Sequence, residues 1–173
     1  LGLLLMIFIF YPFLLKIFTK VNYIKFFSSI SPAQMLAFST SSSAATLPVT
    51  MERCEEKLGV SKEISSFVLP LGATINMDGT SLYQAVAAVF IAQAFGYDLD
   101  FSSQLTIVLT ATLASIGAAA VPGAGMVMLV IVLSSVGIDP AGIALIFAVD
   151  RILDMFRTVV NVTGDATIAT IIN

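Results

Sequence analysis

Polar chemistry is concentrated near the end of this chain. Within Pro140 to Ile172, Asp150, Asp154, Arg157, Thr158, Asn161 and Asp165 recur at helical spacing. At about 100° per residue all six fall within an arc of about 100°, a stripe running about 22 Å along one helix. Leu153, Met155, Phe156, Val159, Val160 and Val162 fill the remaining faces. Arg157 suits a carboxylate ligand, because its planar fork donates two parallel hydrogen bonds and stays charged when dehydrated. Asp154, one turn away, can accept an ammonium group. The pair therefore fits a zwitterion with an extra carboxylate, which means aspartate or glutamate. The competing reading is a structural ion pair between Asp154 and Arg157 at i, i+3. One arginine does not neutralise Asp150, Asp154, Asp165 and Asp78 together, so the stripe should attract cations. Asn76, Asp78, Asn161 and Asp165, with carbonyls freed where Gly72 to Gly79 unwinds, offer the oxygen atoms that hard monovalent cations prefer. Sodium ions or protons would fill them, and the residues leave that choice open.

The elements that position this stripe follow from composition. The 173 residues are 58% apolar and only 11% charged, with no histidine, no tryptophan and one cysteine. Mean hydropathy is +1.00. A water-soluble domain carries roughly a quarter charged residues, so the chain reads as a multi-pass integral membrane protein, and the plasma (inner) membrane is the expected location. At roughly 20 apolar residues per crossing, about four to six membrane elements fit. Cys54 alone forms no internal disulfide, and zinc or redox frameworks are not arguable. No organic cofactor and no nucleic-acid partner is expected. The chain opens on Leu1 inside an uncharged run with no basic stretch ahead of it, so an interrupted membrane helix and a longer parent protein are expected.

Charge placement orients the segments. Lys16, Lys20 and Lys25 form one basic loop and Arg53, Lys57 and Lys62 another, whereas Gly96 to Ser103 and Ser134 to Ala141 hold no Lys or Arg. The positive-inside bias puts the first two in the cytoplasm and the others outside. Phe26 to Met51 is uncharged and both ends lie inside, yet Ser39 to Ser43 interrupts it and each half would rise only about 20 Å. Phe101 to Ile138 would make one helix of about 57 Å, but Gly117, Pro122, Gly123 and Gly125 break its centre. Two re-entrant hairpins from opposite faces satisfy both cases, each followed by a helix marked with polar residues. Inverted repeats with paired broken segments point to a secondary transporter, because irregular backbone at membrane depth is tolerated where it lines a cavity. The divisions are 1–25, the end of a membrane helix and a basic loop; 26–63, hairpin 1 and its loop; 64–100, an unwound helix; 101–138, hairpin 2; and 139–173, the polar-faced final helix.

Two other classes compete. Asp78 and Asp165 on two helices could share a proton as an intramembrane aspartyl protease does, but Arg157 would hold carboxylates ionised. A polar stripe could line an ion channel, but a lone arginine among aspartates suits a stoichiometric site better than a selectivity ring.

Four motifs in order carry a family resemblance: Ser41-Ser42-Ser43 with Thr46-Leu47-Pro48; Asn76-Met77-Asp78-Gly79-Thr80; Ser115-Ile116-Gly117 with Val121-Pro122-Gly123-Ala124-Gly125; and Asp154-Met155-Phe156-Arg157-Thr158 with Asn161-Val162-Thr163-Gly164-Asp165. Over nearly its whole length the chain resembles the glutamate/aspartate:cation symporter family, also called dicarboxylate/amino acid:cation symporters. The resemblance implies an all-α membrane protein, an elevator-type transport domain built from the inverted repeat. Hairpin 1 would be the inner barrier and hairpin 2 the outer gate. It implies a homotrimer joined through scaffold helices outside this chain, surrounded by membrane lipid, and not an enzyme. Ser42, Ser43, Thr80, Val121, Gly125, Asp154, Arg157, Thr158 and Asn161 would contact an acidic amino acid. Gly72, Asn76, Asn161 and Asp165 would hold one cation, carbonyls of Thr74, Ser115, Ile116 and Ala118 a second, and Asn76 with Asp78 a third. Members transporting C4-dicarboxylates or neutral amino acids are the alternative within the family. Many members carry an arginine where this chain has Ser41 or Met155; here Arg151 borders the stripe instead. Ala118 stands where some have threonine.

Overall fold

The computed structural model describes residues 1–173, and every regular element is helical. Helix α1 (Gly2–Leu5), a π-helical turn (Met6–Phe10) and α2 (Tyr11–Phe18) run on as one rod. The Tyr11 N–H reaches back to the Met6 carbonyl, which defines the π turn. The rod bends by 120° into α3 (Tyr23–Thr40). Asn22 caps α3, its Oδ1 accepting from Ile24 N at 2.8 Å.

Helix α3 ends at Ser41 in the left-handed region (φ 51°), and Ser42 caps α4 (Ser43–Leu58) by accepting from Ala45 N at 3.1 Å. The hydroxyls of Thr40 and Thr46 meet at 3.5 Å, and Arg53 Nε donates to the Ser29 carbonyl at 3.0 Å. Contacts straddling the tip in this way define a helical hairpin. After Gly59 come α5 (Lys62–Ile75), a break at Asn76 and Met77, and α6 (Asp78–Ala94). Asp100 caps α7 (Phe101–Ile116), residues 117–123 form a second tip, and α8 (Ala124–Ser135) returns from it. A 3-10 turn (Pro140–Leu145) leads into α9 (Phe147–Ile172).

Helix α9 is the axis: α2, α3, α4, α5 and α6 all pack on it, and the α7–α8 hairpin packs on α6. One apolar cluster joins α6 to that hairpin through Ile91, Ile107, Leu129, Val132 and Leu133. Another joins α2, α3, α4 and α5 to the end of α9 through Leu15, Phe26, Ile30, Cys54, Leu69 and Ala166. The outer surface exposes Phe8, Phe13, Phe67, Phe101, Leu113, Val127 and Phe147. No single helix is both long and apolar enough to cross a membrane; by length and composition the bent pair Gly2–Phe18 and Tyr23–Thr40 passes together.

Three boundaries differ from those the sequence implies. The break covers Asn76 and Met77 rather than Gly72 to Gly79, since α5 runs through Gly72 and α6 includes Gly79. These glycines serve close approach: a Cβ on Gly79 would lie 2.6 Å from the Arg157 carbonyl oxygen, and one on Gly72 would overlap Asp165 Oδ1. The first hairpin extends beyond the uncharged run, because Glu52 to Lys57 continue α4 as helix. Pro140 opens a 3-10 turn, and α9 starts at Phe147.

Candidate substrate and cation site

The stripe on α9 faces inward. Asp150, Asp154, Arg157, Thr158, Asn161 and Asp165 are all buried, Arg157 to 1% exposure. Arg157 Nη2 donates to Asp154 Oδ1 at 2.8 Å, and Nη1 lies 3.1 Å from Asp150 Oδ1. The guanidinium also sits 4.0 Å above the Tyr83 ring. Nη1 and Nε nonetheless lack an aligned hydrogen-bond acceptor, because the Asp150 contact is close without being directional. A buried guanidinium with unmet donors still has capacity for a carboxylate.

Both hairpin tips meet over this stripe. Ser42 Oγ donates to the Ala120 carbonyl at 2.7 Å, joining tip to tip. Gly123 N donates to Asp154 Oδ2 at 2.9 Å, and Gln84 Nε2 to the Gly125 carbonyl at 3.0 Å, so α9 and α6 both hold the second tip. Between the tips lies a cavity of ≈ 20 Å³ lined by Ser43, Thr80, Val121, Gly125, Asp154, Thr158 and Asn161. That is room for about one water molecule. Ser42 spans the tips, and Arg157 stands behind Gly125, whose Cβ would come within 3.4 Å of the guanidinium. All nine residues expected at the substrate are therefore together. The N-termini of α4 and α8 adjoin this space, an arrangement that favours an anionic group.

The oxygen-rich group lies one turn further along α9. Asn76 Nδ2 donates to Asp165 Oδ1 at 2.8 Å, and Asn161 Oδ1 accepts from Gly79 N at 2.8 Å. Asn161 Nδ2 reaches Thr80 Oγ1 at 3.3 Å, so this residue touches the lining of the cavity and the broken helix at once. Asp78 Oδ1 is buried without a hydrogen-bond partner, and an acceptor-only oxygen of this kind suits a cation. Asp78 and Asp165 are engaged by different donors, Tyr11 and Asn76, and no hydrogen bond joins the two carboxylates. For the second cation set the side chains do not converge. Thr74 is exposed with its hydroxyl turned back to the Leu71 carbonyl at 2.8 Å; Ser115 Oγ turns back to Thr112 at 2.8 Å. Ile116 is exposed, whereas Ala118 lines the cavity between the tips. Helices α5 and α7 do touch, and the Ser115 carbonyl accepts from Ala118 N at 3.1 Å.

Some participants were not among the residues the sequence singled out as site residues. Asp150, on the stripe by its spacing but assigned no site role there, acts as second counter-ion to Arg157. Gly123, a breaker of the second apolar run, also holds Asp154, while Tyr83 and Gln84 reach the site from α6 and carry no local signal. Arg151 is exposed and makes no ion pair.

Comparison with known proteins gives a consistent answer. The model of the sodium:dicarboxylate symporter family matches residues 1–173. The chain is 56% identical over 155 residues to excitatory amino acid transporter 5 of Homo sapiens, covering 90% of this chain and 28% of that protein. It is 57% identical over 155 residues to excitatory amino acid transporter 3 of Mus musculus, covering 90% and 30%. An excitatory amino acid transporter of Caenorhabditis elegans is 52% identical over 155 residues, 90% of this chain and 31% of that protein. The chain thus spans less than a third of the length of these relatives. With the match unbroken from first residue to last, the chain belongs to the sodium:dicarboxylate symporter family.

Proposed function

We propose that this chain is the transport core of a secondary symporter that carries aspartate or glutamate, coupled to sodium ions, protons or both. The observation that carries the reading is Arg157, buried with unmet donors beneath two hairpin tips. In this reading the substrate's side-chain carboxylate takes the free guanidinium donors. Its ammonium group competes for Asp154, which must release Gly123 and lift the second tip, since the ≈ 20 Å³ cavity is smaller than any amino acid. Asn161 belongs to both the substrate and cation sets, so filling one orders the other. The helices 26–63 and 101–138 are re-entrant hairpins of an inverted repeat in the plasma (inner) membrane, and the unit moves as an elevator against scaffold helices of a homotrimer. The deciding experiment is uptake by the complete protein in proteoliposomes. Aspartate accumulation driven by an imposed sodium or proton gradient is expected; no gradient-dependent accumulation would refute symport.

A C4-dicarboxylate is the second reading: the family is that of sodium:dicarboxylate symporters, whereas the relatives are excitatory amino acid transporters. Asp154 decides between them, since a dicarboxylate brings no ammonium group to a carboxylate. Asp154→Asn should weaken amino-acid binding at least about tenfold more than succinate binding. Equal losses would remove the ammonium contact.

A further inference from the structure

Tyr11 is buried to 2% exposure, yet it stands in a largely apolar rod and belongs to none of the expected ligand sets. Its hydroxyl lies 2.8 Å from Asp78 Oδ2 and 3.1 Å from the Val160 carbonyl. One proton is shared between two acceptors, so the phenol holds one oxygen of the Asp78 carboxylate against the backbone of α9. The other oxygen, Oδ1, is left buried and without a partner.

Three further features place the phenol there. The π turn Met6–Phe10 sits immediately before Tyr11, and π turns change which face the following side chains present. The Ile7 carbonyl that this turn leaves spare accepts from the Tyr23 hydroxyl, which fastens the turn to α3. On the far side Gly164 supplies the space: a Cβ there would lie 2.8 Å from the Tyr11 oxygen, 2.9 Å from Asn76 Nδ2 and 3.2 Å from Asp78 Oδ2. Pro12, at the start of α2, is compatible with the altered helix because it needs no N–H acceptor.

We infer that Tyr11 is a positioning residue for the coupling cation: by occupying Asp78 Oδ2 it aims the free Oδ1 into the cation group, and so sets the affinity for that ion. The inference rests on the symport reading above. It assigns Tyr11 no contact with the amino acid, and so separates the response to the ion from the response to substrate.

The test uses the complete protein, purified in lipid nanodiscs, with sodium chloride as the probe. Tyr11→Phe removes only the hydroxyl. The sodium concentration giving half-maximal thermal stabilisation without amino acid should shift at least about fivefold, whereas aspartate affinity at saturating sodium should change less than about twofold. In the Asp78→Asn background the same substitution should have little further effect on sodium, because interacting residues are non-additive. An unshifted sodium response, or equal shifts for sodium and aspartate, overturns the inference. Wild type that neither binds nor responds to sodium also overturns the inference, whereas wild type that accumulates no aspartate under a sodium or a proton gradient overturns the symport reading instead. Should Tyr11→Phe fail to fold, 3-fluorotyrosine at position 11 keeps the hydroxyl. Its fluorine resonance should then move with the same sodium midpoint as stabilisation, and a resonance indifferent to sodium overturns the inference.

Discussion

At the scale of single residues, the arrangement turns on how much of Arg157 is already committed. Two carboxylates flank it, one hydrogen-bonded and one merely close, and the Tyr83 ring covers a face. Such a group is specific because its buried donors are costly to leave unpaired, and a substrate without a side-chain carboxylate leaves them so. Removing the guanidinium should therefore invert preference rather than merely weaken binding. Arg157→Cys is expected to lower aspartate affinity by about a hundredfold or more while serine or alanine binds as well as or better than before. Unchanged aspartate affinity in calorimetric titration would refute the contact. The stripe itself was legible, because identical spacing in any helix brings Asp150 to Asp165 onto one face. The coupling of Arg157 to Tyr83 was not, since it depends on the angle at which α6 crosses α9, and no short-range pattern encodes that angle.

At the scale of elements, glycine is where sequence reading and structure part company. Gly72 and Gly79 bracket a polar stretch, and local propensity takes them as breakers. In the fold both lie in helix and serve contact with α9, so the true break shrinks to Asn76 and Met77. Proline does not mark breaks reliably here either, since Pro32, Pro48 and Pro70 all sit inside helices. The hairpin tips were legible because Ser39 to Ser43 and Gly117 to Gly125 interrupt overlong apolar runs, a signal that packing does not erase. Helix ends exposed to water follow simpler rules. Asp100 caps α7, and hydrogen bonds from the Ser103 side chain and then its backbone hold its carboxyl below the ordinary carboxylate range. A carboxylate so depressed contributes stability above its unfolded pKa of about 3.9, and that contribution is lost as pH falls through the folded value. Hydrogen-exchange protection at Gln104 should stay level from neutral pH to about pH 4 after correction for intrinsic rates, then fall. Asp100→Asn, which still caps, should flatten the profile; a wild-type profile already flat at low pH would rule out the carboxylate's part.

At the scale of the whole molecule, α9 ties both hairpins into one body, since the first packs on it directly and the second is held through Asp154 and through α6. In the proposed symport reading, a body joined in this way presents its cavity to one side of the membrane at a time. A channel lined by the same stripe would be reachable from both sides at once. Cysteine chemistry separates the two, because Cys54 is the chain's one cysteine and is fully buried, giving a quiet background at this site. Val121, at the second tip, is 54% exposed and beside the cavity. In the complete protein with its other cysteines replaced, Val121→Cys should react with a membrane-impermeant maleimide added outside. Sodium and aspartate together should slow that reaction about tenfold, because the tip must settle onto the occupied site. An outward aspartate gradient that draws the body to the inner side should abolish outside labelling and expose the same thiol to reagent trapped inside. Simultaneous labelling of every molecule from both faces, indifferent to ion and amino acid, would leave an open pore as the better account of the buried stripe.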